Sequence, residues 1–204
     1  MKALYLTEGP HDSMFLTKIL IRCNVCDEKK IDIFKNAGAM NAKRFAETRT
    51  IKRFMEPNSP YSILIKEENG KRSLLQLMNS ICINAAIAME PPPKLIVMFD
   101  HDNLAVTREF EQIRDLITSS KNKIDFIQIS RTNHMGIAHS SVYKLVKSVG
   151  SNRKIISMVH FFCFFNSLER TAENLFGKHS IKILVDKMSE KFSAEDIFAV
   201  ESQV

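Results

Sequence analysis

The 204-residue chain has no run of about eighteen apolar residues, the length a membrane-crossing helix needs. No transmembrane helix and no membrane partner are therefore expected. The N-terminus lacks the basic stretch of a secretion signal, and Glu8, Gly9 and Pro10 interrupt its first apolar segment. A cytoplasmic protein is the expectation. Cysteine is scarce: Cys23, Cys26, Cys82 and Cys163. Cys23 and Cys26 have zinc or redox spacing, but no second close pair or histidine pair follows. Reduced thiols fit better, with Cys163 a small buried hydrophobe inside Phe161-Phe-Cys-Phe-Phe165. Internal repeats and low-complexity tracts are also missing.

What remains is an ordinary globular composition, 45% hydrophobic, at a length that suits one α/β domain. The formal charge of +6 and pI near 9.1 modestly favour a polyanionic partner, although the excess is spread along the chain. The most informative stretch is Lys94-Leu-Ile-Val-Met-Phe-Asp-His-Asp-Asn103. Leu95 to Phe99 is an unbroken apolar run, the pattern of a strand covered on both faces in a parallel sheet. Pro91-Pro92-Pro93 forbids helix before it, and a helical pattern follows from Leu104. Asp100 and Asp102 thus stand at the carboxyl end of a strand, where ligands bind in open α/β sheets. The N-terminus has the same form. Ala3 to Leu6 reads as a strand, Glu8 follows it, Gly9 permits a tight turn, and Pro10 opens a helix expected to reach Arg22.

Further strands are expected at Ile31–Phe34, Ser62–Ile65, Ile124–Ile129 and Ile155–Phe165. Helical patterns cover Met40–Met55, the segment from Leu74 to Ile87, and Leu104–Ser119. A polar loop is expected over Arg131–Gly136, and then a short helix capped by Ser140 and closing near Gly150. Helices at Leu168–Phe176, at Ile181–Lys191 and after Ser193 complete the chain. The strand–helix alternation predicts α/β architecture with a mainly parallel sheet of four to five strands. Lys43 and Arg44, with Arg49, Lys52 and Arg53, form a basic helix that suits phosphate contact or plain solvation. Gly70-Lys71-Arg72 enters a helix and can offer N–H groups and a lysine to phosphate.

Paired carboxylates beyond a strand suit Mg²⁺, which takes one or two of them together with waters and phosphate oxygens. Leu6-Thr-Glu-Gly-Pro-His-Asp12 and Val97-Met-Phe-Asp-His-Asp102 together resemble the Toprim domain. That domain is shared by topoisomerases, bacterial-type primases, OLD-family nucleases and small ribonucleases. The resemblance spans roughly residues 1–175, with an elaborated segment near 23–60 and a helical extension over 176–204 packed on the same domain. It implies a Rossmann-like fold, Glu8 as general acid/base or metal ligand, and Asp100 and Asp102 as holders of Mg²⁺ or Mn²⁺. Leu104 stands where topoisomerases commonly carry a third aspartate. Asp12 and Leu168-Glu169 match the nuclease-like branch, in which a late lysine assists, here Lys178 or Lys182. The tyrosine domain of a topoisomerase and the polymerase module of a primase do not fit this length, so a nearly free-standing Toprim-like protein is expected.

The expected activity is Mg²⁺-dependent cleavage of DNA or RNA. Glu8, Asp100 and Asp102 would be catalytic. Asp12 and Glu169 would complete the ligands, and Lys43, Arg44, Lys71, Arg72 and Lys178 would contact nucleic acid. His11 and His101 flank the acids as possible proton carriers or exposed bystanders. The alternative is a non-catalytic nucleic-acid- or nucleotide-binding module working with a protein partner. A haloacid-dehalogenase-type phosphatase, with Asp100 as nucleophile and Asp102 as acid/base, is a third reading. Such enzymes place the motif on their first strand.

Overall fold

The computed structural model describes residues 2–34, 49–68, 70–78, 94–100, 124–149 and 152–198. The expected helices at 104–119 and in the first part of 40–55 lie outside them. So do Asp102, His101, Lys43, Arg44, Cys82 and the three consecutive prolines.

Strand β1 (Ala3–Thr7) leads into helix α1 (Pro10–Arg22), and β2 (Ile31–Phe34) follows a short turn of 3₁₀ helix. Helix α2 covers residues 49–55, β3 is Ile63–Glu67, α3 is Lys71–Leu77 and β4 is Lys94–Asp100. Then come β5 (Ile124–His134), β6 (Ala138–Val149) and β7 (Asn152–Phe164). Helices α4 (Leu168–Phe176), α5 (Ile181–Glu190) and α6 (Ala194–Phe198) close the chain. Among the described residues the sheet has seven strands, in the order β2-β3-β1-β4-β7-β6-β5. Strands β2, β3, β1, β4 and β7 are mutually parallel, while β6 runs antiparallel to both of its neighbours, β7 and β5. The molecule is therefore α/β, with a mainly parallel mixed sheet flanked by helices.

Strand alternation explains the two layers. Leu4, Leu6, Leu64, Leu95, Val97 and Phe161 point to one face and pack with Ile51 and Phe54 of α2 and Leu74 of α3. Tyr5, Ile65, Ile96, Met98, Phe162 and Phe164 point to the other. There they meet Phe15, Leu16 and Ile19 of α1 and Leu184, Val185 and Met188 of α5. A strand apolar on both faces needs such cover twice, as the Leu95–Phe99 run indicated. On α2, Ile51 and Phe54 are buried while Arg49, Lys52 and Arg53 are exposed, which is ordinary amphipathic spacing.

Two expectations fail between residues 124 and 150. The sheet has seven strands rather than four or five, because the segment expected to be a loop and a short helix is part of a long hairpin. β5 runs on through Arg131, Thr132 and Asn133, and the turn is confined to residues 135–137. Met135 (φ 53°) and Gly136 (φ 69°) are both left-handed, and the Gly136 N–H donates to Asn133 Oδ1 at 3.0 Å. Ser140 is no helix cap: it lies inside β6, opposite Thr132 on one side and Phe162 on the other. Val142, Tyr143 and Val146 suit a pleated surface, and pairing on both flanks satisfies the β6 backbone better than one isolated helical turn would. The outer strand is irregular, with a β-bulge between Gln128 and Ser130.

Candidate acidic site at the carboxyl rim

All five parallel strands end at one rim. β1 and β4 are neighbours there, with Thr7 opposite Met98, so Glu8 and Asp100 leave the sheet side by side. Glu8 is tied down at both carboxylate oxygens. Oε2 accepts the Asp100 N–H and Oε1 the Lys71 N–H, each at 3.2 Å. The chain just before α3 wraps the same residue, because the Gly70 N–H donates to the Glu8 carbonyl at 3.1 Å. Asp100 ends β4, half-buried, and its Oδ1 accepts the Leu168 N–H at 3.2 Å. The first turn of α4 therefore sits on Asp100 and brings Glu169 to the rim.

Gly9 does not make the expected tight turn. Its backbone is extended (φ −155°, ψ −179°) as the N-cap of α1, and nothing lies within 4 Å of where a side chain would begin. Asp12 closes the cap, its Oδ2 accepting the Gly9 N–H at 3.0 Å. Asp12 is buried. That burial, together with the nearby Asp100, Glu8 and Glu169 carboxylates, holds its carboxyl well above the usual range against the Gly9 bond. Glu169 goes the other way. Burial works to raise it, but His11 Nδ1 at 2.5 Å, with backbone and Ser167 hydrogen bonds, brings it below the usual range.

The structure thus gathers Glu8, Asp12, Asp100 and Glu169, whose charges act on one another, and adds His11. Asp102 lies outside the described residues. Lys71 reaches the rim through its backbone, while its ammonium lies 5.5 Å from the Phe99 ring centroid. The Arg72 side chain, like Lys43 and Arg44, is outside the described set. Lys178 and Lys182 are solvent-exposed around the start of α5. Cys23 and Cys26 are free, half-buried thiols at the carboxyl end of α1. Burial and Asp27 push the Cys26 thiol up, away from the thiolate a metal or redox pair needs.

The negative charge at this partly desolvated rim suits a divalent cation, since Asp100, Glu8 and Glu169 all act on Asp12 and help hold it towards its neutral form. Among the described residues no three His, Cys, Asp or Glu side chains stand close enough to hold an ion by themselves. An ion here would need waters and phosphate oxygens to complete its shell, as Mg²⁺ commonly does.

Sequence reasoning missed a second charged group on the neighbouring strand. Lys66 and Glu68 form a buried ion pair at 2.8 Å, and Lys66 Nζ lies 4.9 Å from the Phe34 ring centroid. Glu67, also buried, accepts a hydrogen bond from the Ser13 hydroxyl. The strand expected to end at Ile65 runs on to Glu67. Lys66 and Glu67 therefore lie inside the sheet and Glu68 directly follows it, a placement signalled only by their position straight after Ile63-Leu-Ile65. No protein-family model, curated protein sequence or solved structure matches this chain.

Proposed function

We propose that the protein is a Toprim-like, Mg²⁺-dependent phosphodiesterase acting on nucleic acid, with Glu8, Asp100 and Asp102 at its centre. The observation that carries this reading is the bond from the Asp100 backbone to the Glu8 carboxylate, which joins acids 92 residues apart on adjacent parallel strands. Asp100 and Asp102 would hold the ion, with Glu8 beside it and Asp12 and Glu169 completing or orienting the ligands. When bound, Mg²⁺ lowers the pKa of coordinated water and offsets charge on the phosphate and leaving oxygen. The residues themselves fix geometry. The α4 N-terminus orients Asp100, two backbone donors hold Glu8, and His11 is aimed by Glu169. Phosphate contacts would come from Lys71, Arg72, Lys43, Arg44 and Lys178.

One observation favours a binding module instead: both oxygens of Glu8 are already engaged by backbone N–H groups, the situation of a structural brace. Isothermal calorimetry with Mg²⁺ and Mn²⁺, run beside cleavage assays on single- and double-stranded DNA and RNA, separates the two readings. Metal-dependent cleavage is expected in the wild-type protein, and Asp100→Asn should abolish it while circular dichroism is unchanged. Metal binding without turnover on every substrate would support the module. Cleavage undiminished in Asp100→Asn would remove this site from the chemistry.

A further inference from the structure

Two strands from Asp100, where β5 turns into β6, lies a group of side chains that phosphodiester chemistry does not use. His134 Nε2 is 2.8 Å from Ser140 Oγ, and His134 Nδ1 is 3.3 Å from Asp196 Oδ1. The partners fix the protons. An ionised carboxylate can only accept, so Nδ1 carries the hydrogen and Nε2 turns its lone pair to the Ser140 hydroxyl. Asp196 is itself anchored, its Oδ2 accepting the Ser193 N–H at 2.6 Å and the Ser193 hydroxyl at 2.8 Å. The imidazole packs against Phe162 and Phe192, with centroids 5.8 and 6.2 Å away, and those two rings also touch each other at 5.4 Å. Burial there holds its pKa below the usual value against the opposing pull of Asp196, so the ring is an unprotonated base at neutral pH. His134 and Ser140 are 7% and 8% exposed, beside a turn whose Met135 is 62% exposed.

We propose that Ser140, His134 and Asp196 form a nucleophilic serine site that accepts small carboxylic esters. A nucleophile in hydrogen-bond reach of a base, with a third group orienting the base, is the arrangement that activates serine, whatever the order of the three in the chain. The packed rings beside the imidazole and the low exposure of Ser140, 8%, restrict the acyl group to a slender one. Ser140 Oγ bonds to the carbonyl carbon as its proton passes to His134 Nε2 and the carbonyl π pair moves onto the oxygen. That pair then re-forms the carbonyl as the carbon–oxygen bond to the alcohol breaks, and the leaving oxygen takes the proton from His134. Water adds to the acyl-serine in the same way and releases the carboxylic acid, regenerating the hydroxyl.

The test is labelling of the full-length protein with a fluorophosphonate probe, peptide mapping by mass spectrometry, and p-nitrophenyl acetate hydrolysis in EDTA. A single adduct on Ser140 is expected, absent in Ser140→Ala, with ester hydrolysis indifferent to the chelator. Asp196→Asn should slow labelling roughly 10²-fold, the scale of a lost general-base contribution. A folded wild-type protein left without an adduct on Ser140 at saturating probe overturns the proposal. So does labelling of Asp196→Asn at the wild-type rate. If that variant fails to fold, the wild-type adduct map decides alone.

Discussion

His160 lies inside β7, between Ile96 and Val142, and neither ring nitrogen has a hydrogen-bond partner among the described residues. Burial first, and then the Lys94 charge, push its pKa from 6.5 down to about 4. The sign follows from linkage. A base depressed in the folded state contributes stability that is fully present above pH 6.5 and is lost as pH falls through 4. The unfolding free energy from urea titrations should therefore drop by on the order of 3 kcal/mol between neutral pH and pH below 4 from this residue alone. His160→Leu should flatten that part of the pH dependence, and an unaltered slope in the variant would refute the assignment. At this scale the acids of the rim were legible in the sequence, because Glu8 and Asp100 each follow an apolar run. The neutral His160 and the buried Lys66–Glu68 pair were not. A polar residue inside a strand announces nothing about which neighbours will cover it.

At the scale of elements, Glu8 is a joint as well as an acid. Its carboxylate spans β1, β4 and the start of α3 through two backbone donors. Glu8→Ala would leave both N–H groups without an acceptor in half-buried positions, at a cost of about 1–3 kcal/mol for each. Glu8→Gln retains one acceptor oxygen and should lose roughly half as much. Chemical denaturation of the two variants gives the comparison, and equal stability of Glu8→Ala and wild type would show that the joint carries no strain. Legibility differed between elements for a physical reason. α1 was bounded correctly by Pro10 and Arg22, because its start and its amphipathic period are local. β6 was not, because Ala-His-Ser-Ser-Val-Tyr has no clean alternation and becomes strand only through pairing with β5 and β7. Pairing partners are non-local, and a serine that caps one helix can equally fill a sheet.

At the scale of the molecule, the last helices belong to the main core. Phe192, just before α6, packs edge-on against Phe15, Phe162 and Phe164 with centroids 5.7, 5.4 and 5.9 Å away. Arg22 of α1 donates to the Ser189 carbonyl at 2.7 Å and also to that of Phe192. Phe192→Ala should cost about 3–5 kcal/mol, the usual range for a buried phenylalanine. The exposed Leu175→Ala should stay within about 0.5 kcal/mol of wild type. Comparable midpoints for the two in thermal melts would show that the C-terminal segment is dispensable to the core. The overall α/β plan was readable from alternating strand and helix patterns, but the number of strands was not, since two of them lie in one hairpin. That hairpin leaves β5 outermost, with Ile127 and Ile129 exposed on it. Its break in register, one residue out of step, denies an incoming strand the even ladder it would need to zip alongside. A greasy margin is thereby kept from seeding end-to-end growth of one molecule upon the next.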